Sequence, residues 1–252
     1  MTPTSNPSKR ALLQENFFHR AALPIRHMVP ALLFISSAVL AQTAVPDTIA
    51  QRAVACTACH GKQGRAASDG YYPRIAGKPA GYLYNQLVNF REGRRRYPLM
   101  VYMVDPLSDG YLRELADYFA DQHPPYPPPQ PATASPETLE KGRVLVMSGD
   151  ASRGIPACVA CHGQALTGMA PFIPGLLGLP RDYLNAQFGA WRGGTRRAAA
   201  PDCMERIASS LSLDEVNAAS SWLAAQPVPE NATPATAAVG ALPMACGSVR
   251  QQ

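Results

Sequence analysis

Cys56-Thr57-Ala58-Cys59-His60 and Cys158-Val159-Ala160-Cys161-His162 are two copies of one pentapeptide, Cys-x-x-Cys-His, in a chain of 252 residues. The pattern is the attachment signature of covalently bound c-type haem. Its spacing has a physical basis: on a helical turn residues i, i+3 and i+4 share a face, so two thiols reach the haem vinyl groups while the imidazole points at the iron. A redox dithiol has no need of the histidine. Zinc ribbons also begin with Cys-x-x-Cys, but they are short metal-clamped modules, and about a hundred residues separate these copies. The expectation is two haem c groups, attached through Cys56, Cys59, Cys158 and Cys161, with His60 and His162 as iron ligands.

The halves repeat beyond the motifs. Pro73–Gly77 answers Pro174–Gly178 at an offset of 101, and at the same offset Tyr82-Leu83 answers Tyr183-Leu184, Gln86 answers Gln187, Phe90-Arg91 answers Trp191-Arg192 and Gly93 answers Gly194. A three-residue insertion then shifts the offset to 104, where Met100 answers Met204, Leu107-Ser108 answers Leu211-Ser212 and Tyr118 answers Trp222. Apolar residues at helical spacing predict helices over 79–92 and 108–121, matched by 181–191 and 212–225. Ser108 and Ser212 suit N-caps, and only the second, with Glu215 three residues on, makes a capping box. No segment reads as a sheet. At about eighty residues, each half has a small core, to which the apolar face of a haem would add.

Residues 28–41 (MVPALLFISSAVLA) form an apolar run preceded by Lys9, Arg10, Arg20 and Arg26 and followed by Gln42. The run is shorter than the roughly 20 residues of a spanning helix, and it reads as a signal peptide over 1–41, with a retained anchor as the alternative. Four basic residues and one acidic residue lie within 1–41, so the remainder carries nineteen against seventeen and the net charge falls from +5 to +2. The basic balance therefore belongs largely to the leader and argues against nucleic-acid binding. The organisation read from the chain is a first haem domain over 42–122, a Pro-rich linker over 123–136 with seven prolines, a second domain over 137–227 and a tail over 228–252. Proline favours extended geometry, so the linker reads as a semi-rigid spacer.

The sixth iron ligand decides the chemistry. Beyond residue 41 only His60, His123 and His162 remain, so bis-histidine ligation of both haems within the chain is excluded. A thioether favours ferrous iron and raises the potential. Met100 follows His60 by 40 residues and Met204 follows His162 by 42, while Met103 aligns with Ile207, so Met100 and Met204 are the candidate axial ligands.

With these residues in place, positions 50–227 resemble the di-haem class I c-type cytochromes of the cytochrome c4 kind. The resemblance rests on Tyr72–Gly77, Tyr82–Gly93 and Met100–Ser108 after the first haem motif. It implies an all-α fold of two tandem cytochrome c domains, each enclosing one covalent haem, His/Met ligation and periplasmic electron carriage. The implied partners are redox proteins: a membrane cytochrome complex, a terminal oxidase or a dehydrogenase, with room for peripheral membrane association. The second half departs from the pattern at Ile173-Pro174-Gly175 and at Cys203 beside Met204.

Two features stay open at this level. Cys203 is either a disulfide partner of Cys246, as an even pair in an oxidising compartment suggests, or an iron ligand, as in di-haem thiosulfate-oxidising enzymes that resemble the family. The arginines Arg91, Arg94, Arg95 and Arg96, echoed by Arg192, Arg196 and Arg197, serve a solvated face, haem propionates or partner steering. The expected function is an electron carrier and not an enzyme. The alternatives are a thiosulfate dehydrogenase, a peroxidase or a cytochrome subunit of a membrane complex.

Overall fold

Both haem motifs fold as helix in the computed structural model, which describes residues 45–67, 70–236 and 242–249; the signal segment expected at 1–41 lies outside them. Short α1 (Ile49–Arg52) leads into α2 (Val54–His60), which carries the first motif. Three helices complete this half: α3 (Ala80–Arg91), α4 (Pro98–Val104) and α5 (Asp109–Ala120). The second half opens with α6 (Pro136–Ser148) and places its motif on α7 (Val159–His162), with Cys158 as N-cap. Helices α8 (Arg181–Arg192), α9 (Cys203–Ser210) and α10 (Leu213–Ala224) then repeat α3 to α5. No described helix is long and apolar enough to cross a membrane.

The helix starts follow from local chemistry. Pro79 and Pro180, which lack the donor a cap position leaves unpaired, precede α3 and α8. Ser108 Oγ accepts the Tyr111 N–H at 3.3 Å. Ser212 Oγ accepts the Glu215 N–H at 3.2 Å while Glu215 Oε2 accepts the Ser212 N–H at 2.8 Å, so the capping box predicted for the second half alone is formed there.

Leu83, Val88 and Phe90 of α3 pack with Leu112, Leu115 and Phe119 of α5 to form the first core. In the second, Val146 of α6 and Leu184 of α8 meet Ala219 and Leu223 of α10. Helix α6 has no long equivalent in the first half, where four-residue α1 lies against α5. Gly142 lets α6 approach α10 closely, since a Cβ there would stand 2.1 Å from the Ala218 carbonyl oxygen. The strand pair among the described residues is small, Gly168–Met169 against Ile173–Pro174, and Met169 also bridges to Ala235.

The halves touch directly, and the contacts are reciprocal. Arg96 N–H donates to the Thr195 carbonyl and Arg197 N–H to the Arg94 carbonyl, both at 2.7 Å, around an antiparallel bridge between Arg95 and Arg196. Exchanging the halves at the 101 offset maps one bond onto the other, as an isologous interface requires. The proline-rich stretch is docked along the protein. Arg74 stacks on Tyr126 at 3.8 Å and donates to the carbonyls of Pro124 (2.5 Å) and Pro125 (3.1 Å). Gln130 N–H reaches the Ala224 carbonyl of α10 at 2.9 Å.

Candidate haem-binding sites

On α2, Cys56, Cys59 and His60 occupy positions i, i+3 and i+4, and His60 is 8% exposed. Its Nδ1 lies 2.8 Å from the Pro73 carbonyl oxygen, and His162 Nδ1 lies 2.7 Å from that of Pro174. A carbonyl only accepts, so in each ring Nδ1 carries the proton and Nε2 keeps its lone pair for a metal. Burial pushes both imidazoles below their usual pKa, favouring the neutral form a metal binds. The thiols shift the other way: burial raises Cys56 and Cys161, and lifts Cys158 to about 11.

In the second half Cys158, Cys161 and His162 line one cavity with Met204, Leu179 and Leu223. Helix α9 brings Met204 there, started by Asp202, whose Oδ1 accepts Glu205 N–H at 3.1 Å. Met100 sits on α4, half-buried against the first core, whereas Met103 is 41% exposed in a surface groove with Tyr97 and Tyr102. His123 is exposed beside the proline-rich segment. Cys203 and Cys246 form a disulfide with a Cα–Cα distance of 4.9 Å.

Polar groups on the wall of the second cavity suit an anionic group. Lys78 and Arg196 line it, and burial lowers the pKa of both. No carboxylate pairs with either among the described residues; Asp202, also on the wall, spends its oxygens on Ala198 and Glu205 backbone N–H groups. The buried Trp191 Nε1, on the same wall, has no described acceptor. Cations, one of them buried, and an orphan donor around an apolar cavity fit a haem, whose ring is apolar and whose propionates are carboxylates.

The arginines divide by role. Arg91 donates to the Leu107 carbonyl (2.9 Å) and pairs with Asp109 (2.5 Å), and its counterpart Arg192 reaches the carbonyls of Ala208 (3.0 Å) and Leu211 (2.5 Å). These two staple the turns that follow α4 and α9. Arg95 donates to Gln86 (3.1 Å) and Gln187 (2.9 Å); Arg196 donates to Gln187 (2.7 Å) and Gln86 (3.2 Å). Each half thus supplies one arginine and one glutamine to a shared hub.

No model of a protein family matches the chain. It is 37% identical over 179 residues to a thiosulfate dehydrogenase electron acceptor of Thiomonas intermedia, covering 70% of this chain and 80% of that protein. It is 35% identical over 171 residues to cytochrome c4 of Thiocapsa roseopersicina, covering 67% of this chain and 85% of the relative. The chain belongs to the cytochrome c4 family. A solved cytochrome c4 from Pseudomonas stutzeri superposes with a TM-score of 0.60 at 29% identity, over 70% of this chain and 96% of that one. The cytochrome c4 fold accounts for the paired cytochrome c halves, and electron transfer with haem c is the family's chemistry.

Several wall residues escaped the sequence reading. Lys78, Tyr82, Gln86 and Asn89 of the first half face the second cavity, as do Leu242 and Met244 of the tail. The matched Gln86 and Gln187 carried a signal, since a repeated polar residue on a helix marks a shared contact. Lys78 carried none, because its repeat counterpart is Leu179.

Proposed function

We propose that the chain is a periplasmic electron carrier with two His/Met-ligated haem c groups, one on His60 and Met100 and one on His162 and Met204. It accepts electrons from a thiosulfate dehydrogenase and passes them to a membrane cytochrome complex or terminal oxidase. The haems occupy domains 42–122 and 137–227, attached through Cys56 and Cys59 and through Cys158 and Cys161, and the segment over 1–41 is the export signal. The observation that carries the reading is the second cavity, where His162 and Met204 share one apolar wall while the neighbouring Cys203 is bonded to Cys246. A bonded cysteine has no thiolate for iron, which supports a carrier over an enzyme that would use Cys203 as a ligand.

When bound, each haem supplies a one-electron ferric/ferrous couple. The protein's part is to keep that couple closed and rigid. The Pro73 and Pro174 carbonyls fix the imidazoles by their Nδ1 protons. Lys78, Arg196 and Trp191 Nε1, on the cavity wall, would hold the propionates and keep their charges paired in an apolar surround. The Arg95–Gln86–Gln187–Arg196 hub holds the halves in register, which favours transfer between them. The likeness to an electron acceptor of thiosulfate dehydrogenase supports the choice of donor.

The test mixes oxidised holoprotein with a thiosulfate dehydrogenase and follows the visible haem bands after thiosulfate is added. Both haems are expected to reduce only when enzyme and thiosulfate are both present. Reduction by thiosulfate alone, with tetrathionate formed, would make the chain the enzyme. Failure to reduce with a competent dehydrogenase, in protein that ascorbate reduces, would refute the donor.

A further inference from the structure

The C-terminal segment Leu242–Val249 has no equivalent in the first half, yet it forms part of the second haem cavity. Leu242, Met244 and Val249 line the same space as His162 and Met204. Three attachments hold the segment. Cys246 is bonded to Cys203, the residue before Met204. Gly247 N–H donates to the Pro201 carbonyl at 2.9 Å, in a contact so close that a Cβ on Gly247 would stand 2.4 Å from the Ala199 and Ala200 oxygens. Asn85 Nδ2 of the first half donates to the Ser248 carbonyl at 2.9 Å.

In the first half the ligand-bearing helix is bare on its outer side. Leu99, Tyr102 and Met103 of α4 are 57%, 78% and 41% exposed. The second half instead carries a covalently fastened strap at the corresponding end. Of the three attachments only the disulfide is covalent; two single hydrogen bonds add little against the entropy of ordering the segment.

We propose that Leu242–Val249 is a thiol-controlled wall of the second haem pocket, closed by the Cys203–Cys246 bond, and that opening the bond admits a small neutral ligand to the second iron. The inference rests on the His162/Met204 reading above. Closed, the strap pins the first turn of α9 and so keeps Met204 in place, with Met244 and Leu242 filling the way in. Opening requires a dithiol reductant. The dithiol gives two electrons and two protons, the Cys203–Cys246 sulfur–sulfur bond breaks to two thiols, and the dithiol leaves as its own disulfide. Met204 then loses its anchored neighbour and yields to a competing ligand. Cys203 and Cys246 are positioning residues here, acting through Met204.

Carbon monoxide is the probe, because it binds ferrous haem whose sixth ligand can be displaced. Holoprotein reduced with ascorbate, which spares the disulfide, is titrated before and after dithiothreitol, with thiols counted by alkylation. Carbon monoxide uptake is expected to rise from near zero to one haem equivalent per chain as two thiols appear. The Cys203→Ser/Cys246→Ser double variant is expected to take up one equivalent without reductant, and Met244→Ala with the bond intact is expected to speed uptake. Unchanged uptake after both thiols are counted would overturn the proposal, as would full uptake by the intact protein. Failure of the underlying ligand reading shows separately, as a missing sulfur-to-iron charge-transfer band in the oxidised protein before any thiol is added. If the double variant does not assemble, the dithiothreitol titration of the natural protein decides alone.

Discussion

The two halves share the surroundings of their motif histidines and differ around α4 and α9. Each motif helix ends in a buried histidine bonded to a proline carbonyl, at 2.8 Å in the first half and 2.7 Å in the second. Each following helix begins after a proline, and each arginine at its end staples the turn beyond the next helix, α4 or α9. Beyond that turn the likeness ends. The first half leaves Leu99 and Tyr102 of α4 in solvent, while the second carries a longer α6, a disulfide and a strap. The repeat keeps the histidine and arginine contacts, and the halves diverge in what surrounds α4 and α9.

The largest effect expected from breaking this comparison is loss of one haem. Cys56→Ala/Cys59→Ala and Cys158→Ala/Cys161→Ala should each leave one haem per chain by pyridine haemochrome assay. The second pair should also cost more stability, because the cavity it empties is walled by both halves and the strap. Equal losses of stability would contradict the shared wall.

Lys78 sharpens the comparison further, since its counterpart is Leu179 and it lines the second cavity. Removing a cation near an iron disfavours the ferrous state. Lys78→Met should therefore lower the second potential by tens of millivolts, on the order of a tenfold change in the one-electron equilibrium, and leave the first in place. Spectroelectrochemistry that found both potentials moved equally would place Lys78 between the haems instead.

A smaller effect is expected in acid. Hydrogen bonds from Arg153, then from the Ser212 backbone, hold the Glu215 carboxyl down at about 2. Its usual value is 4.5. A depressed carboxylate contributes its full stabilisation above the unfolded value and loses it as pH falls towards the folded one. Glu215→Gln keeps an N3 side chain that can cap and removes the charge paired with Arg153 at 2.5 Å. Its melting temperature should fall below that of the natural protein at neutral pH, and the gap should close between about pH 4.5 and 2. The first half has Tyr111 at this position, so Tyr111→Phe should show no such pH dependence.

What the sequence disclosed were features with a local cause. The Cys-x-x-Cys-His turns, the serine caps, the capping box at Glu215 and the four matched helices each follow from spacing within a dozen residues. Features that needed distant partners were hidden. Nothing near Lys78 in the sequence shows that second-half residues line the same cavity. The proline-rich stretch reads as a spacer because its anchors, Arg74 and Ala224, lie 50 residues before Pro124 and far beyond Gln130. Gly142 inside α6 was the one local mark of a close helix approach, against Ala218. Helices α4 and α9 are short, at seven and eight residues, and their periodicity is too brief to register.

The most direct test of the central claim is the near-infrared absorption of the oxidised holoprotein, with the methionine-sulfur-to-iron charge-transfer band measured per haem. Two haems' worth of intensity is predicted, falling by half in Met100→Ala and by half in Met204→Ala. One haem's worth or none in the natural protein would contradict His/Met ligation of both irons and the closed electron carrier built on it.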